Sequence, residues 1–445
     1  MYQSEKEDEE RSQLPSPSTP TEQTPSAATT LPPPDGGLEA WIQVLCMHFT
    51  FFNSWGVNNS FSIFQQLYTS TLPESASNIS WIGSVQTSLL FFTGVFAGRA
   101  TDAGYFRVVY ASGVFLQLLG FFMLSLCRTY WQIFLAQAVC MGLGNGLTFS
   151  PGLSVMSSYF MRHRAVAVGL AAAGAATGGL VYPVLIDQLL YVRDIGFGWT
   201  VRAAGLVMLV TQIPGLVLYR PRYTAQKQQP QQLGQGQEQE QAKPLIIDWA
   251  AFKEKPFLFF TISMFLNFWG LYFTFFYLGT YARDRLGMSS TLDLILVLNG
   301  VGVIGRIVPS LIGDRITGRL NILIPISIAS AILIFAWMAV SSVAGLYVFT
   351  VFYGLVGGAA QSLFPATATT MTPDVRRTGT RLGMILSVVG FATLTGPAIE
   401  GALIQQEGGS YIGAQGFAAS AIMLGALFAF ACRVAKTGLH FRVKV

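Results

Sequence analysis

The chain has 445 residues, of which 52% are hydrophobic and only 11% charged. An ordinary soluble domain carries about 25% charged residues, so lipid rather than water must solvate most of this surface. The formal net charge of +5 is spread over loops without a basic block interleaved with aromatics, which argues against a nucleic-acid partner.

Residues 1–34 are rich in Ser, Thr, Pro, Glu and Gln and have little to bury, so they read as a disordered tail. A basic start followed by an apolar run is missing, so the tail is not read as a signal peptide, and the first span is expected to serve as the targeting signal. About 20 apolar residues cross the hydrocarbon core. Windows of that size predict six spans in a first half, residues 35–218: Trp41–Leu67, Ile79–Gly98, Val108–Leu126, Trp131–Ser157, Ala165–Leu190 and Trp199–Leu218. A polar loop, 219–255, follows, and its Gln-rich core at 226–241 reads as disordered. Six more spans are predicted in a second half, 256–433: Pro256–Ala282, Leu292–Ile312, Leu320–Val340, Leu346–Met371, Leu382–Ile404 and Tyr411–Arg433. A basic tail, 434–445, closes the chain. The expected fold is an all-α polytopic membrane protein with twelve transmembrane helices in two six-helix halves.

Lys and Arg set the orientation. With both termini in the cytosol, nineteen basic residues of the inner loops and C-terminal tail face four in the outer loops, Arg128, Arg193, Arg283 and Arg285. Trp41, Trp81, Trp131 and Trp199 stand near predicted span ends, as interfacial anchors do. Asn78-Ile-Ser80 is a glycosylation sequon in the first outer loop. Asn58-Asn-Ser60 also matches but falls within a span. Cys46, Cys127, Cys140 and Cys432 lie in or beside apolar runs without CxxC spacing, so free thiols are expected.

Two segments repeat a short, charged, Gly-containing turn at corresponding places: Gly98–Arg107 and Gly313–Arg319. The repetition points to a duplicated six-helix unit, the architecture of secondary transporters that rock around a central site. In the fifth span, Gly174-xxx-Gly178 permits close approach of a neighbouring helix. Gly354, Gly357 and Gly358 give the tenth span a similarly small face.

Three stretches carry a family resemblance: Asp35-Gly-Gly-Leu-Glu-Ala-Trp41 before the first span, Ser158-Tyr-Phe-Met-Arg-His-Arg164 running into the fifth, and the repeated turn. The chain resembles the major facilitator superfamily and, within it, the monocarboxylate-transporter-like branch found in fungi. The resemblance implies a conformational latch at Asp102 and Arg107 in the first half and at Asp314 and Arg315 in the second. Proton-coupled members use a Lys in span one and an Asp–Arg pair in span eight. Here Asn59 stands at the first position and Arg306 matches the Arg, while Gly302 occupies the place of the Asp. The departure argues against a proton–lactate mechanism.

Arg306 is the one basic residue that the predicted spans place deep in the bilayer, where a charge costs at least about 2.5–3.5 kcal/mol. It is expected to face a cavity and hold an acidic ligand through paired hydrogen bonds. Asn58, Asn59, Asn145, Asn267, Asn299 and Gln361 need internal partners in lipid. All but Asn58 are taken with Tyr272 as candidate substrate contacts. Tyr272 and Phe276 share a face of the aromatic seventh span, suited to a ligand bulkier than lactate. His48 is expected to be hydrogen-bonded, and Glu400 to lie at the interface near the outer end of span eleven.

The leading functional reading is a secondary transporter of a small, anionic organic molecule, acting as an exporter for a biosynthetic pathway or as a nutrient importer. A non-transporting nutrient sensor on the same fold is the alternative from another class. The chain has no GxxxxGK[ST] motif, so ATP is not expected to drive it directly. An enzyme is not expected, and neither is a metal or other cofactor: the three His are scattered and no nucleophile constellation appears. The coupling ion, the membrane and the substrate stay open.

Overall fold

A computed structural model describes residues 34–222, 248–371 and 378–438. The tail at 1–33, the Gln-rich core of the middle loop, Arg376 and Arg377, and the final residues of the basic tail lie outside this description. Among the described residues there are twelve long helical units and no strand.

The first, α1, is broken into Leu38–Asn59 and Phe61–Thr71. Then follow α2 Ala76–Ala100, α3 Phe106–Leu124, α4 Tyr130–Ser158, α5 Arg164–Val192 and α6 Phe197–Leu218. The second half comprises α7 Lys255–Leu286, α8 Leu292–Ile312, α9 Arg319–Trp337, α10 Val343–Ala368, α11 Thr378–Gln406 and α12 Ile412–Thr437. Eleven of these units are long and apolar enough to cross a membrane. The exception is α1. The single first span predicted from the sequence is interrupted at Ser60, whose N–H reaches Gly56 and Val57 carbonyls and whose hydroxyl donates to Gly56 O at 2.7 Å. That hydroxyl competes with the backbone for a carbonyl, a known cause of helix bending.

The halves are built alike. The pairs α2–α4 and α8–α10 pack within their own halves, and the pairs α5–α8 and α2–α11 pack between halves. A shift of six helices converts one member of each set into the other. Both repeated turns extend the preceding helix by one widened turn, Thr101–Tyr105 and Gly313–Thr317. Each reversal uses a glycine at positive φ, Gly104 at 92° and Gly318 at 90°, a region costly for residues with a Cβ.

Small residues set the closest contacts. On α5, Gly178 lies against Gly56 and the Phe52 carbonyl of α1, and Gly174 lies against the His48 carbonyl. A side chain at either position would collide with backbone, so the GxxxG spacing fixes α1 against α5. At one end of the bundle, Asp35 accepts the backbone N–H groups of Met161 and Arg162, the latter at 2.8 Å. Burial would raise the Asp35 carboxyl, but these bonds hold it below the usual carboxylate range. Two stretches distant in sequence, Asp35–Trp41 and Ser158–Arg164, are thus joined.

Candidate functional site

The site begins with a cation that the bundle encloses. Arg306 is 1% exposed, midway along α8. Its guanidinium folds back into a notch between Gly302 and Gly358, where an added Cβ would meet Nη1 at 2.7 and 3.2 Å. Nη1 donates to the Gly302 carbonyl at 3.1 Å and Nη2 to Gln361 Oε1, on α10, at 2.7 Å. The glycine standing where an Asp was expected therefore makes room for the Arg rather than neutralising it. Among the described residues no acidic side chain pairs with Arg306. Two neutral acceptors offset only part of the cost of burying a guanidinium.

Arg306 lines a small cavity between the halves, about 20 Å³ in volume and drawn out narrowly between rings. The first half supplies Phe51 and Trp55 from α1, Phe91 from α2, Phe149 from α4, and Ala172 and Ala175 from α5. From the second half come Phe268 and Tyr272 on α7, Arg306 on α8, and Gln361, Phe364 and Pro365 on α10. Trp55 and Tyr272 face each other across the divide with centroids 6.1 Å apart and planes only 7° from parallel. Phe91 stands edge-on to Phe268 at 6.0 Å, and Phe268 meets Phe364 at 4.9 Å. Such walls suit a flat, apolar body between them.

Four of the lining side chains carry a buried polar atom without a hydrogen-bond partner: Trp55 Nε1, Tyr272 Oη, Arg306 Nε and Gln361 Nε2. Three are N–H donors and the fourth is a hydroxyl able to donate. Buried polar groups are rarely left so. A cluster of them around one cavity is what a ligand rich in acceptors would satisfy.

Contacts join the halves near both ends of the bundle. At one end Asp314 Oδ2, in the turn after α8, accepts the first backbone N–H groups of α5, Ala165 at 2.9 Å and Val166 at 3.3 Å. Its Oδ1 takes a bond from Arg319 Nε at 3.0 Å. A carboxylate at a helix N-terminus meets orphan donors and the positive end of the dipole. At the other end Gln66 Nε2 donates to Thr291 at 2.7 Å, and Ser77 donates weakly to the Ala398 carbonyl at 3.4 Å.

The family profile described as Major Facilitator Superfamily matches residues 45–374. The chain belongs to the major facilitator superfamily. It is similar to an MFS-type transporter of Gibberella zeae, at 42% identity over 91% of this chain and 88% of the relative. It is also similar to the aspyridones efflux protein of Emericella nidulans, at 34% identity over 92% of this chain and 81% of the relative. Among solved structures, the human organic anion transporter MFSD10 shares the fold, with a TM-score of 0.67 at 14% identity, over 89% of this chain and all of that one. The protein is a secondary transporter.

In this superfamily member, three of the seven expected substrate contacts meet at the cavity: Arg306, Tyr272 and Gln361. The other four are buried elsewhere. Asn59 donates to the Ala175 carbonyl, Asn145 accepts from Gln117, Asn267 donates to the Ser263 carbonyl, and Asn299 donates to the Ile295 carbonyl while packing on Gly179. Hydropathy gives a residue's depth, not which neighbour its side chain meets. Phe276 turns away too, onto Phe61 at 4.9 Å. Trp55, Phe91 and Phe149, which composition did not single out, form the opposite wall. For Trp55 the signal was an i, i+4 aromatic pair on α1 with Phe51, hidden among ordinary apolar neighbours.

Other expectations change. In the second turn Asp314 forms an ion pair with Arg319, and Arg315 is exposed. Arg107 is exposed, and the side chain of Asp102 lies outside the described residues. His48 bonds the Leu170 carbonyl at 3.0 Å and Thr177 at 3.1 Å, as expected of a structural His. Arg381, assigned to a loop, is 4% exposed, bonded to Asp248 at 3.0 Å and to both Glu254 oxygens at 2.8 and 2.6 Å. Glu400, expected at the interface, is fully buried within the protein. Asn78 is exposed on the first turn of α2.

Proposed function

We propose that the protein exports an acidic, aromatic secondary metabolite by alternating access. One observation carries this reading: four side chains with an unpartnered polar atom, one of them an Arg that no acidic side chain pairs with among the described residues, border a cavity walled by aromatic rings. The rings would hold a flat body and the donors a carboxylate or phenolate at its edge. The aromatic lining favours such a ligand over a plain monocarboxylate, the second reading. The export direction draws support from the similarity to an aspyridones efflux protein. The contact of Asp35 with Met161 and Arg162 supports the monocarboxylate-transporter-like branch, since it joins two of that branch's signatures.

The excess of Lys and Arg supports a topology with both termini and the middle loop in the cytosol, in the plasma membrane. The Asp314 end is then cytosolic, and Asp314 with Arg319 forms a latch that holds that end shut. Asp102 and Arg107 are its counterpart in the first half, and Asn78 carries a glycan outside. The test uses 2-naphthoate and its neutral amide as probes on the purified full chain. Naphthoate should bind and exchange at least roughly tenfold better, a difference of about 1.4 kcal/mol. Equal binding of the amide would remove the anionic reading. Efflux from loaded vesicles without uptake by oppositely oriented ones would fix the direction.

A further inference from the structure

A second buried polar cluster lies away from the cavity, at the Asn78 end. Glu400, on α11, is 0% exposed, and neither carboxylate oxygen has a hydrogen-bond partner among the described residues. No Lys, Arg or His pairs with it among those residues. The helices packed on this part of α11 present neutral groups. From α7 comes Tyr277, whose hydroxyl donates to the Pro397 carbonyl at 2.8 Å, one turn before Glu400. Ser80 of α2 and Gln65 of the second segment of α1 lie near that hydroxyl, and Tyr353 of α10 is within electrostatic range of Glu400. Gln65 has both amide atoms unpartnered and Ser62, a turn earlier, has its hydroxyl unpartnered. The next residue, Gly401, faces Ser77, so the seam between the halves passes here.

An unpaired carboxylate in a dry interface is strongly disfavoured, whereas a protonated carboxyl there is a neutral hydrogen-bonding group. With the halves closed, Glu400 therefore sits as an acid. Its charge becomes tolerable only when the Asn78 end parts and water enters. We propose that Glu400 is the proton-binding site of this transporter, loading from the medium at the Asn78 end and permitting that end to close only when protonated. The ligand is a single proton, bound to one carboxylate oxygen on loading and returned to water on release. Arg306 carries the organic ligand and Glu400 the coupling ion, at separate places. The inference rests on the transporter reading but not on any particular substrate.

The test therefore uses no substrate. Ser77→Cys is placed in a chain whose four native cysteines are replaced, and the reconstituted full-length protein is labelled with a membrane-impermeant maleimide from about pH 5 to about pH 9. Leu126→Cys, exposed at the same end, corrects for the thiol's own titration. The corrected labelling rate of the Ser77→Cys variant should rise roughly tenfold across this range as the charged Glu400 favours the open end. Glu400→Gln, an isosteric mimic of the acid, should stay slow at every pH. Glu400→Asp, which keeps a titratable group, should restore the rise and also covers the case in which the Gln variant fails to fold. A rise of equal size in Glu400→Gln overturns the proposal, as does a flat profile in both the parent and Glu400→Asp. Failure of naphthoate to bind would leave these outcomes unchanged, so the two readings fail separately.

Discussion

The two walls of the cavity differ in kind. The first half presents four rings and two alanines, and its one polar atom is the indole N–H of Trp55. The second half presents a guanidinium, an amide and a phenol among its own rings. On the proposed function, one wall would select for shape and the other for charge. Since the halves move against each other in alternating access, a ligand must satisfy both walls to hold them together. A ligand matching only one leaves the other's groups exposed or unpaired.

The largest effect should come from the charged wall. Arg306→Ala is expected to weaken naphthoate binding roughly a hundredfold, within the about 2–5 kcal/mol that truncating a buried charged partner costs. Arg306→Lys should recover part, since it keeps the charge but not the planar fork. Thermal unfolding in detergent separates this loss from misfolding, and unchanged affinity in a folded Arg306→Ala would assign the Arg to packing alone. On the opposite wall, Trp55→Ala should weaken naphthoate roughly tenfold. It should also relax discrimination by ring size while leaving the acid-over-amide preference intact; loss of that preference would break the division between walls. Asp314→Ala addresses how the walls are brought together: exchange per molecule should fall roughly fivefold with equilibrium binding little changed, since only a helix-end contact outside the cavity is lost. The smallest effect on the ligand is expected from Asn267→Ala. Affinity should not move, while stability drops by about 1 kcal/mol through the lost bond to the Ser263 carbonyl; a tenfold affinity change would place Asn267 back at the site.

Much of the architecture was legible because lipid makes span length and apolarity nearly obligatory. The repeated turn revealed the duplication, and its glycines at positive φ explain why it recurs. Arg306 was legible for the same reason: a deep basic residue has few other uses. The break at Ser60 was not, since Thr50 and Ser54 make the same bond to a carbonyl one turn back and the helix runs on through them. Azimuth was lost as well. Asn145 and Tyr272 both fall inside predicted spans, yet one meets Gln117 inside its half and the other meets Trp55 across the divide. Glu400 was misplaced because its predicted depth near a helix end suggested water, whereas the seam between α2 and α11 keeps that end dry.

The unpaired guanidinium of Arg306 makes the empty carrier electrically different from the loaded one. In the proposed transport of a monoanion, the ligand would neutralise it, so the loaded protein would swing between its two faces without moving net charge at that point. The empty protein must swing with the cation still inside. Wherever that rocking shifts the membrane field across Arg306, the return stroke exchanges energy with the membrane potential, up to about 2.3 kcal/mol per elementary charge for each 100 mV. The notch that shelters one side chain thereby makes the speed of resetting, more than the speed of delivery, answer to voltage.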